Sequence, residues 1–448
     1  MDRAVTGPGG DVLRWFRERC RGSYTKVRRV PLDALDGWRV DRETGDIVHH
    51  TGRFFTIHGL EVRFPSGPVP TWSQPIITQP EVGILGLLAK EIDGVRHFLV
   101  QAKVEPGNRD GLQISPTVQA TRSNYTGVHG GKSVPYLEYF RDHGRHRVLA
   151  DVRHSEQGAW FYQKRNRNMI VELDEDVPVR DGFRWLTLDR VHELLAVEDL
   201  VNMDLRTVLS CLPAPDTGLA RHEMTDLLSW LTDVRTGADI TTRRVPLRGL
   251  PGWNSSGGRI RHESGTFFSV IGVEVEAGGR EVRGWAQPMI EPAGEGVIAF
   301  LVTMIDGEWH ALMNASVEPG YADVAELAPT VQCIPGSYRA LPCSARPPFL
   351  DQVLDAPARD VLYDTVLSEE GGRFYHARNR YMIVETEAGD EPPDYRWVAL
   401  HQLTGLLRHS HYLNVQARSL VACLRSLPAR DAAASATRRG TLDPGVIA

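Results

Sequence analysis

At 448 residues the chain is too long for one small stapled module, and a prior of roughly 150 residues per domain allows two or three domains. Hydrophobic residues make up 42% and charged residues 24%, the balance of a globular protein able to bury a sizeable core rather than of a disordered or fibrous chain. Fifty-one Lys and Arg against 57 Asp and Glu leave a net charge of −6, so there is no basic field to hold a nucleic-acid backbone by counterion release. No apolar run approaches the length of about 18 residues that a membrane helix needs, and MDRAVTGPGGDVLRWF lacks the apolar stretch and cleavage site of a signal peptide. We expect a cytoplasmic protein with neither a membrane nor a nucleic acid as partner.

In chain order, DVLRWFRERC places Val12, Leu13, Trp15 and Phe16 on one face of a helix opened by Asp11. From Trp72 to Val104 the apolar clusters VGILGLLAKEI and HFLVQAKV flank Asp93-Gly94, a dipeptide that favours a two-residue hairpin turn. A polar, turn-rich block runs from Ser115 to Phe140, and RNR at Arg165 precedes the apolar strand NMIVEL. LDRVHELLA and LVNMDLRTVLSCL then carry apolar residues at helical spacing. After Pro213 the order starts again. VRRVPLDAL from Val27 returns as TRRVPLRGL from Thr242, and VEPG from Val104 returns from Val317. Pro116-Thr117-Val118-Gln119 returns as Pro329-Thr330-Val331-Gln332, Arg165-Asn166-Arg167 as Arg378-Asn379-Arg380, and the second hairpin turn is Asp306-Gly307. An internal repeat of this length fixes the organisation. We expect an α+β protein of two tandem duplicated domains, residues 1–215 and 216–428, each a mixed β-sheet with flanking helices, and a disordered tail over 429–448.

The five cysteines form no CxxC pair and have no zinc-like His spacing, so neither a disulfide framework nor a metal site is expected. Cys211 and Cys423 read as packing residues. No phosphate loop of Walker or Rossmann spacing and no nucleophile elbow is present. The chemistry-bearing groups lie around and after the first hairpin: Gln101, Lys103 and Glu105, then Gln119, Arg122, Ser123, Asn124, Tyr125, His129, Lys132 and Tyr136 on a loop held by a sheet. Subtracting the repeats sets Lys103 against Ser316, Arg122 against Pro335, Ser123 against Gly336 and Asn124 against Ser337, which points to the first copy as the catalytic one. Lys103, Glu105, Arg122, Asn124 and Tyr125 are the candidates for proton transfer and for donation to substrate oxygens, with an exposed strand-edge lysine as the competing reading of Lys103. Two arginines beside an amide suit a diphosphate or pair with nearby carboxylates, and Trp72 and Trp285 stack on a base or pack in a core. Trp72, Gln119, Ser123, His129, Lys132, Tyr136, Arg165, Asn166 and Arg167 make up the expected binding set of the first copy. Trp285, Gln332, Tyr338, Arg378, Asn379, Arg380 and Tyr381 make up that of a second pocket; Tyr381 stands where the first copy has Asn168.

The motifs SPTVQATRSNYTGVHGG with PYLEYF, and APTVQCIPGSY with PPFLDQVLDA, resemble the NDP-hexose 2,3-dehydratases of deoxysugar biosynthesis over nearly the whole chain. The resemblance implies two tandem Nudix-like domains, a homodimer, and action on dTDP-4-keto-6-deoxy-D-glucose with no cofactor. The reaction it implies is abstraction of the carbon-3 proton, acidified by the carbon-4 ketone, and elimination of the carbon-2 hydroxyl. The 3,4-diketo product would pass to a separate NADPH-dependent 3-ketoreductase in natural product biosynthesis. Neither copy holds the acidic cluster by which Nudix hydrolases bind magnesium, which opposes the alternative of a sugar-nucleotide diphosphatase. A further alternative is a non-catalytic nucleotide-sugar-binding dimer.

Overall fold

The computed structural model describes residues 10–121, 134–278 and 284–428. Each repeat opens with a helix, Gly10–Gly22 and Met224–Gly237, and Asp11 sits inside the first turn of the former rather than capping it. The large sheet of the first repeat orders its strands Arg147–Ser155, Arg165–Leu173, Gly83–Ile92, Val95–Val104 and Phe183–Thr187, with Leu112–Ser115 and Val118–Ala120 alongside. Arg165–Leu173 and Gly83–Ile92 run parallel, so the sheet is mixed. The second repeat reproduces the arrangement around Gly296–Ile305, Glu308–Val317 and the parallel strand Arg378–Glu385. Both hairpins turn where the dipeptides predict: Asp93 and Gly94 have φ of 52° and 78°, Asp306 and Gly307 of 51° and 86°, the paired left-handed conformation of a type I′ turn. The chain is a mixed α+β protein in two repeated halves.

Helices Leu188–Leu195 and Met203–Ser210, matched by Leu400–Leu406 and Val415–Arg425, cover each large sheet. Asn202 and Asn414 cap Met203–Ser210 and Val415–Arg425, their Oδ1 atoms accepting from Leu205 N and Ala417 N at 2.9 and 2.8 Å. Between these helices and the sheets lies a core in each repeat, around Leu87, Phe98 and Ile170 and around Phe300, Met313 and Ile383. Cys211 and Cys423 are buried free thiols within those cores.

The local pattern does not announce how the repeats are joined. Thr25–Val30, the first strand of repeat one, pairs antiparallel with Phe268–Ala277 of repeat two, and Thr241–Val245 pairs with Thr56–Arg63 of repeat one. Each repeat thus lends its leading strand to the other's five-stranded sheet. Arginines on the lent strands meet carboxylates across the exchange, Arg28 with Glu274 at 2.5 Å and Arg243 with Glu61 at 2.7 Å. A third core, including Leu35, Phe55, Phe161, Leu250, Trp253, Phe268 and Phe374, is made jointly by both repeats. At its edge helices Met203–Ser210 and Val415–Arg425 cross. Fully buried Arg206 donates to Ser368 O at 2.6 Å and to Ser419 Oγ at 3.2 Å, and fully buried Arg418 reciprocates to Ser155 O at 2.6 Å and to Thr207 Oγ1 at 2.5 Å. Buried guanidinium groups are tolerated only when their donors are satisfied, and here each repeat satisfies the other's.

The VEPG motif is explained by the same crossing. Gly107 N donates to Gly371 O and Gly107 O accepts from His376 N, both at 2.7 Å; Gly320 N donates to Gly158 O at 2.9 Å and Gly320 O accepts from Gln163 N at 2.8 Å. A Cβ at Gly107 would lie 1.8 Å from Phe374 O and one at Gly320 1.9 Å from Phe161 O, so only glycine permits the approach.

Candidate active site

Between the repeats, on the first-repeat side, lies a cavity of about 440 Å³. The large sheet of repeat one supplies Lys103 from the end of Val95–Val104, Glu105 just beyond it, Gln119 from Val118–Ala120 and Asn166 from Arg165–Leu173. Glu156 and Lys164 flank the loop joining Arg147–Ser155 to Arg165–Leu173, and Asp204 comes from the first turn of Met203–Ser210. Repeat two closes the opposite wall with Trp285 and Gln287 from Gly284–Pro292 and with Glu370, Gly372 and Arg373 from the loop before Arg378–Glu385. Trp38, His49, His50 and Phe54 add an aromatic wall. Its rings lie edge to face, His49 4.3 Å from Phe54 and 5.2 Å from Trp38, and the Trp38 indole donates to Ala286 O at 2.8 Å, tying that wall to repeat two.

Gln119 organises the polar floor. Its backbone oxygen accepts from Lys103 Nζ at 2.7 Å, its side-chain amide donates to Glu105, and its Oε1 accepts from Asn202 Nδ2 at 3.2 Å. Asn166 Nδ2 donates to Glu156 Oε1 at 2.6 Å while its Oδ1 accepts from Gly83 N at 3.1 Å. Glu105, Glu156, Lys164 and Asp204 are all buried. Burial, reinforced by the charges of Glu105, Glu156 and Glu370, holds the Asp204 carboxyl well above the usual carboxylate range. Burial likewise raises Glu156, and burial followed by Glu105 pushes Glu370 up to about 7. Lys164 is pushed down by burial to about 8, against the pull of Glu156 and Glu81. Carboxyl groups raised and an ammonium lowered by burial in one cavity are the kind of groups that general acid–base catalysis uses.

The structure brings Lys103, Glu105, Gln119, Asn166 and Trp285 together in this cavity. Trp285 was expected in a second pocket but stands in the wall of the first, its indole donating to Gln287 Oε1 at 3.0 Å. Trp72 makes the matching bond to Gln74 at 2.8 Å, and Gln74 reaches Ala159 O, next to Trp160, which packs on Phe268 and Phe374 of repeat two. Trp72 packs with Leu60, Val62, Ile76 and Tyr162 and is not among the residues that line the cavity. Arg167 forks onto Asp151 at 2.7 and 2.6 Å, Arg380 onto Asp364 at 2.8 and 2.6 Å, and Arg378 pairs with Asp199 at 2.6 Å and with Glu198. These arginines take the carboxylate-pairing role. They and Arg165 are not among the residues that line the cavity. Tyr136 is in the core, its hydroxyl donating to Pro178 O at 2.8 Å and accepting from Arg180 N at 2.7 Å. In repeat two, Gln332 donates to Glu318 at 3.0 Å, Asn379 to Glu369 at 2.6 Å and buried Tyr381 to Glu369 at 2.7 Å, while Tyr338 adjoins Cys333, its phenol raised by burial. Arg122, Ser123, Asn124, Tyr125, His129 and Lys132 lie outside the described residues, as does the tail over 429–448; Thr121, immediately before the loop, lines the cavity.

Reading from the sequence missed Lys164, Asp204, Glu156, Glu370 and Arg373. For the first two a signal was present: Lys164 stands against Ala377 and Asp204 against Gln416, the same loss that marked Lys103 against Ser316. Glu370 and Arg373 belong to the other repeat, so subtraction alone had no reason to join them to this site.

A duplicated α+β chain with an aromatic-walled cavity rich in titratable groups has the build of an acid–base enzyme. The profile of the NDP-hexose 2,3-dehydratase family matches residues 10–212 and 224–424, and the chain belongs to that family. It is 50% identical over 427 residues to a dTDP-4-dehydro-6-deoxy-alpha-D-glucopyranose 2,3-dehydratase of Amycolatopsis orientalis, covering 94% of this chain and 91% of the relative. It is 48% identical over 439 residues to a protein of the same name from Saccharopolyspora spinosa, covering 92% and 90%. A third, from Streptomyces violaceoruber, is 47% identical over 429 residues, covering 92% and 96%.

Proposed function

We propose that the chain dehydrates dTDP-4-keto-6-deoxy-D-glucose across carbons 2 and 3 in the first-repeat cavity. The carbon-4 ketone acidifies the carbon-3 proton; a base removes it, and donors stabilise the enolate oxygen. Hydroxide leaves carbon 2 as an acid protonates it, and the resulting enol tautomerises to the 3,4-diketo-2,6-dideoxy sugar, with one water lost and no change in redox balance. Lys103 and Glu105, fixed side by side through Gln119, are the groups for proton transfer. Asp204 and Glu370, with their raised pKa values, supply the acid. Arg122 and Asn124, which follow Thr121 in sequence, are proposed to donate to the sugar oxygens, with Tyr125 a further candidate for proton transfer. The observation that carries the reading is the charge set of this cavity: Lys103, Lys164 and Asp204 in the first repeat stand where the second has Ser316, Ala377 and Gln416.

The parallel strand pair inside each mixed sheet, flanked by helices, supports a Nudix-like reading of each half, with 1–215 and 216–428 as the units of duplication and the first as the catalytic one. We take the working form to be a homodimer in the cytoplasm, feeding an NADPH-dependent 3-ketoreductase that captures the diketone. Among the described residues, no helix is long and apolar enough to cross a membrane. The test is direct: purified protein, incubated with the 4-keto sugar nucleotide and the reductase, should yield a product that has lost one water. Unchanged substrate would overturn the proposal.

A further inference from the structure

Arg373 comes from the second repeat, yet its side chain belongs to the cavity of the first. Its loop is carried there by the Gly107 crossing and is fixed by Glu370, whose Oε1 accepts from Gly372 N at 2.9 Å and Oε2 from Arg373 N at 2.8 Å. The guanidinium lies over the Phe55 ring, 4.3 Å from its centroid, with Nε donating to Gln79 Oε1 at 3.2 Å and Nη1 to Gly372 O at 2.8 Å.

The duplication supplies a control for what this arginine does. The equivalent loop of repeat one shares two of its supports: Gln74 Nε2 donates to Ala159 O as Gln287 Nε2 does to Gly372 O, both at 2.6 Å, and Gly320 repeats the Gly107 crossing, while Gln157 stands in the place of Glu370. At the position of Arg373 this loop carries Trp160, and where Arg373 meets Phe55, Trp160 meets Phe268, ring centroids 6.4 Å apart, and Phe374, 4.6 Å apart. The frame therefore forms with an indole as well as with a guanidinium, so holding the loop is not what requires arginine. The residue that differs is a permanent cation, on the side where Lys103 and Lys164 also stand.

We propose that Arg373, delivered by the second repeat, binds the diphosphate of the nucleotide sugar in the first-repeat cavity. This rests on the dehydratase reading only for the identity of the sugar; the claim itself concerns a nucleoside diphosphate. A planar guanidinium meets phosphate oxygens in bidentate fashion, which neither glutamine nor tryptophan reproduces and lysine reproduces only as a point charge. The cavity is then incomplete in either repeat alone.

Calorimetry with dTDP and with thymidine, on the full chain, tests it. Arg373→Gln and Arg373→Trp should each weaken dTDP about 10- to 100-fold and raise KM in step, with kcat nearly unchanged, while thymidine binds as to the unmodified protein. Arg373→Lys should recover part of the loss, and Trp160→Arg should leave the kinetics of the first cavity unaltered. Unchanged dTDP affinity in Arg373→Gln would overturn the proposal, and so would equal losses for dTDP and thymidine, which would report a collapsed pocket. If unmodified protein binds dTDP but does not turn over the sugar nucleotide, the function falls and the binding test still decides Arg373.

Discussion

In the first repeat Gln119 holds Glu105 beside Lys103; in the second Gln332 holds Glu318 beside Ser316. Asn166 and Asn379 bridge to Glu156 and Glu369 at the same 2.6 Å, and Asn202 and Asn414 cap equivalent helices while donating to the equivalent glutamines Gln119 and Gln332. The groups kept in both repeats are those that hold strands and helices in register. The groups that differ, Lys103, Lys164 and Asp204, face the first-repeat cavity. Duplication thus sets the shared frame apart from the charges peculiar to the first cavity, and Glu105, repeated as Glu318, belongs to the frame as well as to the cavity.

The largest effect that could break this comparison is on turnover. Lys103→Ala should lower kcat by about 10²- to 10⁴-fold, the usual worth of a positioned acid or base, with the fold intact by circular dichroism. Arg378→Ala, in repeat two and paired to Asp199 and Glu198 away from the cavity, should leave turnover within a few-fold. Steady-state rates on the 4-keto sugar nucleotide check both. The reverse outcome would move the active site to the second repeat.

A second test uses pH. Lys164 is held down to about 8 from an ordinary 10.5, so between those values the unfolded chain binds more protons than the folded one, and stability rises with pH through that window. Below about 8 the cost of the buried ammonium is carried in full. Lys164→Met removes the titration, as Ala377 already does in repeat two, so urea unfolding at pH 7.5 and 10.5 should show the unmodified protein gaining up to about 3 kcal/mol relative to the variant. Equal changes in both proteins would mean that Lys164 is solvated and titrates normally.

Much of the frame was legible in the sequence because it is set by local pattern. The Asp-Gly turns and the helical spacing of LVNMDLRTVLSCL both act within a few residues. The exchange of leading strands was not legible, because VRRV has the same alternation whichever sheet edge it joins, and its partner is chosen by a tertiary arrangement that buries Phe55, Phe161, Phe268 and Phe374 together. The site was half legible for the same reason. Lys103, Glu105 and Gln119 sit on adjoining strands of one repeat, whereas Glu370, Arg373 and Trp285 reach the cavity only through the exchange and the Gly107 crossing. Tyr136 shows the opposite error: a tyrosine in a polar block looks like a ligand contact, but its ring is buried and its hydroxyl is bound to Pro178 O and Arg180 N.

The smallest expected effect sharpens the comparison most finely. Arg167–Asp151 and Arg380–Asp364 are the same fork in both repeats, with side chains about one-third exposed, 33% and 32% in one and 37% and 38% in the other. Exposed pairs of this kind are worth about 0–1 kcal/mol after screening and side-chain entropy. Arg167→Ala and Arg380→Ala should therefore cost less than about 1 kcal/mol each and nearly the same amount, with turnover within about two-fold of the unmodified protein. A double-mutant cycle with Asp151→Ala isolates the pair term, since the two partners touch. The informative outcome is asymmetry. If Arg167→Ala raised KM tenfold while Arg380→Ala did not, the arginine would be leaving Asp151 to meet the diphosphate when substrate binds, and the repeated RNR block would have to be moved from scaffold to site in the first repeat alone.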